Sequence, residues 1–384
     1  MEKGNEIKTV VPTLRFPEFR EMNGWEILPM EYLCQILNNQ RKPIPEILRV
    51  KGPYPYYGAS GIVDYINNYI FDEELLLIGE DGAKWGAYEN SAYIANGKYW
   101  VNNHAHVLRP IRVNIVVLKN YLIQLDLTQY ITGAAPPKLT LGKLKEIRIP
   151  ISKKTQEQQK IADCLSSLDE LIEATTQKVE ALKEHKKGLM QRLFPAEGKN
   201  VPDLRFPEFQ ASEKWKRKII QDICNITTGN KNTQDKKENG IYPFFVRSPK
   251  VERIDSWSFD GEAILTAGDG VGVGKIFHYY VGKMGVHQRV YLLYDIQCNS
   301  KYLYYFFSEF FYERVKKMSA KNSVDSVRKD MISDMPLLLP SSQEQQKIAD
   351  CHSSLDELIE ATSRKVEILK EHKKGLMQQL FPKI

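Results

Sequence analysis

The sequence predicts an α+β chain: two β-rich domains separated by two long helices that form an antiparallel intramolecular coiled coil, with pseudo-two-fold symmetry. Three observations predict it. A segment of 40 residues is written twice. Each copy carries a narrow apolar stripe of helical period, and each follows a domain-sized stretch of short apolar runs broken by turn signals.

Residues 156–195 and 343–382 are identical at 35 of 40 positions. Weaker repetition links the rest: VPTLRFPEF at Val11 returns as VPDLRFPEF at Val201, Trp25 as Trp215, PYY at Pro55 as PFF at Pro243, and DG at Asp81 as DG at Asp269. The chain therefore divides into a first variable domain (residues 1–155), a first constant helix (156–195), a second variable domain (196–342) and a second constant helix (343–384).

The variable domains read as strands. ELLLIGEDG from Glu74 and KYWVNNHAHVL from Lys98 in the first, with EAILTAGDG from Glu262 and VHQRVYLLY from Val286 in the second, are short apolar runs ending in turn residues. The tyrosine clusters GPYPYYG at Gly52 and YLYYFF at Tyr302 supply amphipathic planar side chains, most of them expected in cores.

The helices have local start and stop signals. Thr155 with Gln158, and Ser342 with Gln345, stand at capping-box spacing, and Pro195 and Pro382 end the two copies. In between, Ile161, Leu165, Leu168, Ile172, Val179, Leu182 and Leu189 recur in steps of four and three, as do Ile348, Leu355, Ile359, Val366, Leu369 and Leu376. That is a coiled-coil seam. Thr175, Thr362, Lys186 and Lys373 are polar seam positions that set register, and His352 stands where the first copy has Leu165. Connectivity makes the pairing antiparallel, because the second helix starts where the second variable domain ends. At 1.5 Å per residue the rod is about 55 Å long, with a domain expected at each end.

At 384 residues, 42% hydrophobic and 27% charged, the chain is an ordinary multidomain protein expected in the cytoplasm; no apolar run approaches the roughly 20 residues of a membrane span. Five cysteines without CxxC spacing fit neither a disulfide framework nor a zinc site. Each 40-residue copy (156–195 and 343–382) carries −1, so a net charge of +6 places +8 on the remaining residues, the pattern of nucleic-acid-binding domains.

Loops mixing cations, small residues and amides suit contacts to phosphates and base edges. In the first domain the candidates are Ser60, Lys84 with Trp85, and Lys138. In the second they are Arg247, Ser248, Lys250, Lys275, Lys321 and Arg328. Different loops in the two domains imply two different short sequences read.

Catalytic motifs fail. GDGVGVGKI at Gly268 lacks the first glycine of a phosphate loop, where Asp269 stands, and its Ser/Thr, where Ile276 stands. ExK at Glu184 and Glu371 lies on a capped helix rather than at a strand edge around a metal. His104 and His106 have strand spacing without neighbouring ligands, and no dinucleotide or methyl-donor fingerprint is present.

The repeated QEQQKIADC…LDELIEAT…VE.LKEHKKGLMQ.LF from Gln156 and Gln343, the LRFPEF segments at Leu14 and Leu204, and HAHVL at His104 resemble the specificity subunit of type I restriction-modification enzymes, the family usually called HsdS. The resemblance spans nearly the whole chain. It implies that each variable domain is a target recognition domain reading one half of a split duplex DNA site. It also implies partners: two methyltransferase subunits using S-adenosylmethionine, and restriction/translocase subunits using ATP and Mg2+, with no cofactor in this chain and no catalysis by it. The alternative is a non-catalytic coiled-coil scaffold presenting two peptide- or ligand-binding β domains.

Overall fold

A computed structural model describes residues 9–196, 198–270, 272–319 and 326–384. It contains two compact units. One combines residues up to Thr176 with Arg364–Ile384, and the other is Gln177–Ser363. Two long helices, Thr155–Leu193 and Ser342–Leu380, each of 39 residues, contribute one part to each unit.

In the first unit, the five-residue strand Leu75–Gly79 is buried throughout and pairs antiparallel with Ala92–Ala95 on one side and Ala105–Pro110 on the other, the latter pairing with Cys34–Ile36. A second sheet holds Gly61–Ile66, Lys51–Gly58, Lys98–Val101 and Phe71–Asp72 in that order. A third, Thr9–Val10, Trp25–Pro29 and Arg148–Ile151, leads into the first long helix. The helix Ile115–Gln124 is capped by Asn114, whose side chain accepts from the amides of Val116 and Val117. Its Leu118 and Leu122 share one core with Leu76, Leu108, Trp25 and Ile149.

The second unit is built on one six-stranded sheet, ordered Asn225–Thr228, Val290–Tyr294, Phe259–Ala267, Phe277–Val286, Tyr242–Phe245 and Glu252–Ile254. The YLYYFF cluster begins the 19-residue helix Ser300–Met318, capped by Asn299. Tyr302, Phe307 and Phe311 are fully buried there. A stretch this rich in aromatic residues has strand propensity, but its apolar face of helical period against the sheet prevails.

Within each unit the two long helices run antiparallel. In the first, Ile161 and Leu165 share a core with Met377, Leu380 and Phe381, and Lys373 Nζ lies 2.6 Å from Asp169 Oδ1. In the second, Met190 and Phe194 share a core with Ile348 and Ala349, and Lys186 pairs with Asp356. The two lysine–aspartate pairs are the same contact with the helices exchanged. Every expected seam position is buried or half-buried. Thr175 and Thr362 bond within their own helices: each hydroxyl donates to the carbonyl four residues back, Leu171 O and Leu358 O.

The expected capping boxes are not formed. The Gln158 side chain donates to Ser152 O at 2.8 Å and accepts from Asn114 N at 2.7 Å, and Gln345 repeats this with Pro340 O and Asn299 N. These glutamines join the helix start to the head instead of closing the first turn. In the second copy the cap is Ser341, whose hydroxyl accepts from Glu344 N.

A buried ion pair occupies the first turn of each helix. Arg15 grips Glu157 through Nε at 2.6 Å and Nη2 at 2.8 Å, and Arg205 grips Glu344 at 2.7 Å through both nitrogens. Burial alone would raise the Glu157 carboxyl. Hydrogen bonds from Arg15 and Ser152 outweigh it and hold the group below its ordinary value. Beside each arginine, Leu14 N donates to Gln379 O and Leu204 N to Arg192 O, carbonyls in the last turn of the opposite helix.

His352 is 0% exposed, sandwiched between Phe194 and Tyr305, and neither ring nitrogen has a hydrogen-bond partner among the described residues. Burial, then the Lys186 charge, pulls the imidazole down to about 4, against the opposing pull of Asp356. The unfolded chain, at about 6.5, binds the proton more readily, so this neutral burial contributes fully above that pH and is lost as pH falls toward 4. His352→Leu, the residue of the first copy, should therefore be more stable than the parent by a margin that grows from pH 6.5 to 4, by roughly 3 kcal/mol at about 1.4 kcal/mol per unit. Denaturant midpoints across that range check it; a margin independent of pH would refute it.

Candidate nucleic-acid interface

In the first unit the buried strand Leu75–Gly79 runs out into Glu80 and Asp81, where four loops meet. Glu80 N donates to His104 O at 2.8 Å and Leu139 N to Glu80 O at 2.8 Å, which fixes the 102–104 and 132–139 loops against the strand end. The 58–61 loop approaches closely because residue 79 is glycine: a Cβ there would lie 2.7 Å from Ala59 O. Ser60 Oγ donates to Gly82 O at 3.4 Å.

Asp81 is the centre of this cluster. Its Oδ1 lies 2.5 Å from His104 Nδ1 and its Oδ2 2.9 Å from Lys138 Nζ. Burial would raise its carboxyl, but the bonds from Lys138 and His104 lower it, while Asp81 raises Lys138 in turn. Behind it, Arg41 Nη1 holds Glu80 at 2.7 Å and Ala105 O at 2.8 Å. His106 is buried and lowered chiefly by desolvation, consistent with a neutral ring donating from Nε2 to Leu139 O and accepting at Nδ1 from Asn38.

The second unit repeats the arrangement with other residues. Strand Phe259–Ala267 ends in Gly268 and Asp269. Gly268 N donates to Arg289 O at 2.8 Å, and Val327 N to Gly268 O at 2.7 Å. Asp269 Oδ1 takes Arg247 Nη1 at 2.8 Å, and Arg289 Nε lies 3.8 Å from Oδ2. His287 Nδ1 accepts from Arg289 N, and its Nε2 faces Thr233 Oγ1 at 3.2 Å.

Of the residues expected from sequence, Ser60, Lys138 and Arg247 stand in these clusters. Lys84 is exposed on the turn after Asp81, with no ion-pair partner among the described residues. Trp85 requires correction: it is 7% exposed, donates its indole N–H to Gly79 O at 3.1 Å and belongs to the core, because the turn folds its one large apolar side chain inward. Ser248 donates to Lys250 O, and Lys250 has a 77% exposed side chain 4.0 Å from Glu252. Lys275 lies over the Tyr312 ring at 4.5 Å, against the helix Ser300–Met318, and Arg328 pairs with Asp330 at 3.3 Å. Lys321 lies outside the described residues. Sequence reasoning missed Asp81, Asp269, His104 and Arg289 as cluster members; the signal was the DG dipeptide repeated at the same place in two otherwise unlike domains.

No group of three or more His, Cys, Asp or Glu among the described residues has metal-binding geometry, and no described helix is long and apolar enough to cross a membrane.

Comparison with known proteins fits this duplicated architecture. The sequence matches the type I restriction modification DNA specificity domain twice, over residues 22–184 and 212–371, and the chain belongs to that family. A putative type I restriction enzyme specificity subunit of Haemophilus influenzae is 40% identical over 144 residues, 36% of this chain and 37% of the relative. The EcoDI specificity subunit of Escherichia coli is 29% identical over 171 residues, again 37% of its length. This chain thus spans little more than a third of those two, whereas the MjaVIII specificity subunit of Methanocaldococcus jannaschii aligns over 95% of its length at 22% identity. The crystal structure of a type I restriction-modification S subunit from M. genitalium shares the fold, with a TM-score of 0.69 at 15% identity over 97% of this chain and 100% of that one.

Two substitutions separate core from surface. Trp85→Ala should cost about 3–5 kcal/mol of stability, visible as a lowered melting temperature. Lys84→Ala should leave melting unchanged, weaken duplex DNA binding and reduce the salt slope of log K by about one.

Proposed function

We propose that the chain is the reader of a two-part DNA target, each unit contacting one half-site through the loops that meet at Asp81 or Asp269. The observation that carries this is the common scaffold dressed with different donor side chains: Lys84, His104 and Lys138 in one unit, Arg247, Lys250 and Arg289 in the other. Common backbone with unlike side chains is what two half-sites of different sequence require. Ser60 in the first unit, and Ser248, Lys275 and Arg328 in the second, are proposed as further contacts to the respective half-sites, as is Lys321, which lies outside the described residues.

The near-identical helices support docking of two methyltransferase subunits on equivalent surfaces, with restriction/translocase subunits joining that complex. S-adenosylmethionine, ATP and Mg2+ are assigned to those partners. The helices are also proposed to set the length of the unread spacer between half-sites.

Exchanging residues 1–155 for the corresponding domain of another specificity subunit, then mapping methylated adenines in cells that also carry the methyltransferase, tests the reading. One half of the methylated site should change and the other persist. Change in both halves, or in neither, would overturn it.

A further inference from the structure

We infer that Asp81 and Asp269 determine specificity by holding the cations of their loop clusters as an internal substitute for a DNA phosphate. The inference rests on the DNA-reading assignment above and adds two acids to it. An acid on a surface that takes up a polyanion works against affinity, so its presence at the centre of both clusters calls for another role.

Three observations support that role. First, the two aspartates hold the same place, at the exposed end of the central buried strand, although the loops around them differ: residues 132–139 bridge back at Asp81↔Lys138 in one unit, and Asp269↔Ser326 does so in the other. Second, the side-chain partners of both carboxylates are cationic, or become so on protonation, and come from separate loops: His104 and Lys138, or Arg247 and Arg289. Third, the Asp81 carboxylate is largely shielded, its side chain 13% exposed, while His104 and Lys138 remain about half exposed and able to turn outward.

A phosphate and a carboxylate compete for the same donors. An unselected DNA backbone that draws Lys138 or Arg247 away takes from an aspartate one of its two partners, so the exchange contributes little net affinity. A base offering an exocyclic amino group in the major groove, cytosine N4 or adenine N6, gives the released carboxylate a donor. The cations can then turn to phosphate at no such loss. Correct DNA therefore satisfies both sides of the pair, and incorrect DNA only one.

The test uses the full chain assembled with its methyltransferase, and three duplexes: the mapped target, the target altered in one half-site, and unrelated DNA. Asp81→Asn should bind unrelated DNA several-fold more tightly with a steeper salt slope, and lose about tenfold of its preference for one half-site while keeping the other. Asp269→Asn should do the same for the opposite half-site. Asp81→Glu, which keeps the charge, should retain more discrimination than Asp81→Asn. Binding to unrelated DNA that is unchanged or weaker, or Asp81→Glu discriminating no better than Asp81→Asn, would overturn the inference, since an acid that only shapes its loop gives those results. A parent complex without preference for the target would instead sink the DNA-reading assignment itself.

Discussion

The buried arginine–glutamate pair at the start of each long helix is the constraint on which the architecture depends. Arg15 and Glu157 lie 142 residues apart in sequence, and Arg205 and Glu344 139 apart, yet each pair is almost wholly removed from water. Such a charge is tolerated only when both partners are in place. The guanidinium also reaches the carbonyls of Met22 and Asn23, so it fixes the turn that leads to strand Trp25–Pro29. Since Leu14 bonds the last turn of the opposite helix, one short LRF segment binds the beginning of one helix, the end of another and the edge of the head.

On that fixed base the heads are free to vary. The central strand, its neighbours and the backbone bonds at its end are common to both units, while the cations beyond differ. A lysine ammonium and an imidazole stand in one cluster; two arginines give planar forks in the other. The outer loops can thus change without disturbing the packing that positions them, because their hydrogen bonds to the strand are made by backbone atoms.

Much of this was legible in the sequence because it is periodic or repeated. The seam from Ile161 to Leu189 declared itself by spacing alone, and the duplication made pairing of the two copies the natural outcome. The capping boxes at Gln158 and Gln345 misled because a glutamine three residues into a helix can equally well bond a loop folded beside it, and only tertiary structure decides. The same holds for Trp85: a tryptophan in a glycine-rich turn carries no mark of the side on which it falls. Arg15 was visible within the repeated LRFPEF, but its partner lies too far along the chain for any local pattern to connect them. The aspartates were concealed by their charge, since a search for DNA contacts favours cations.

The first unit is discontinuous in sequence, closed by Met377, Leu380 and Phe381, while the second is one unbroken stretch. On the ribosome, the apolar face of Ile161 and Leu165 therefore emerges about 200 residues ahead of the side chains that cover it, a wait of roughly 10–40 s at ordinary elongation rates. The usual order of maturation is reversed: of the two units the one translated first is the last to be completed, and the nascent chain must shelter that face until Met377, Leu380 and Phe381 have been made.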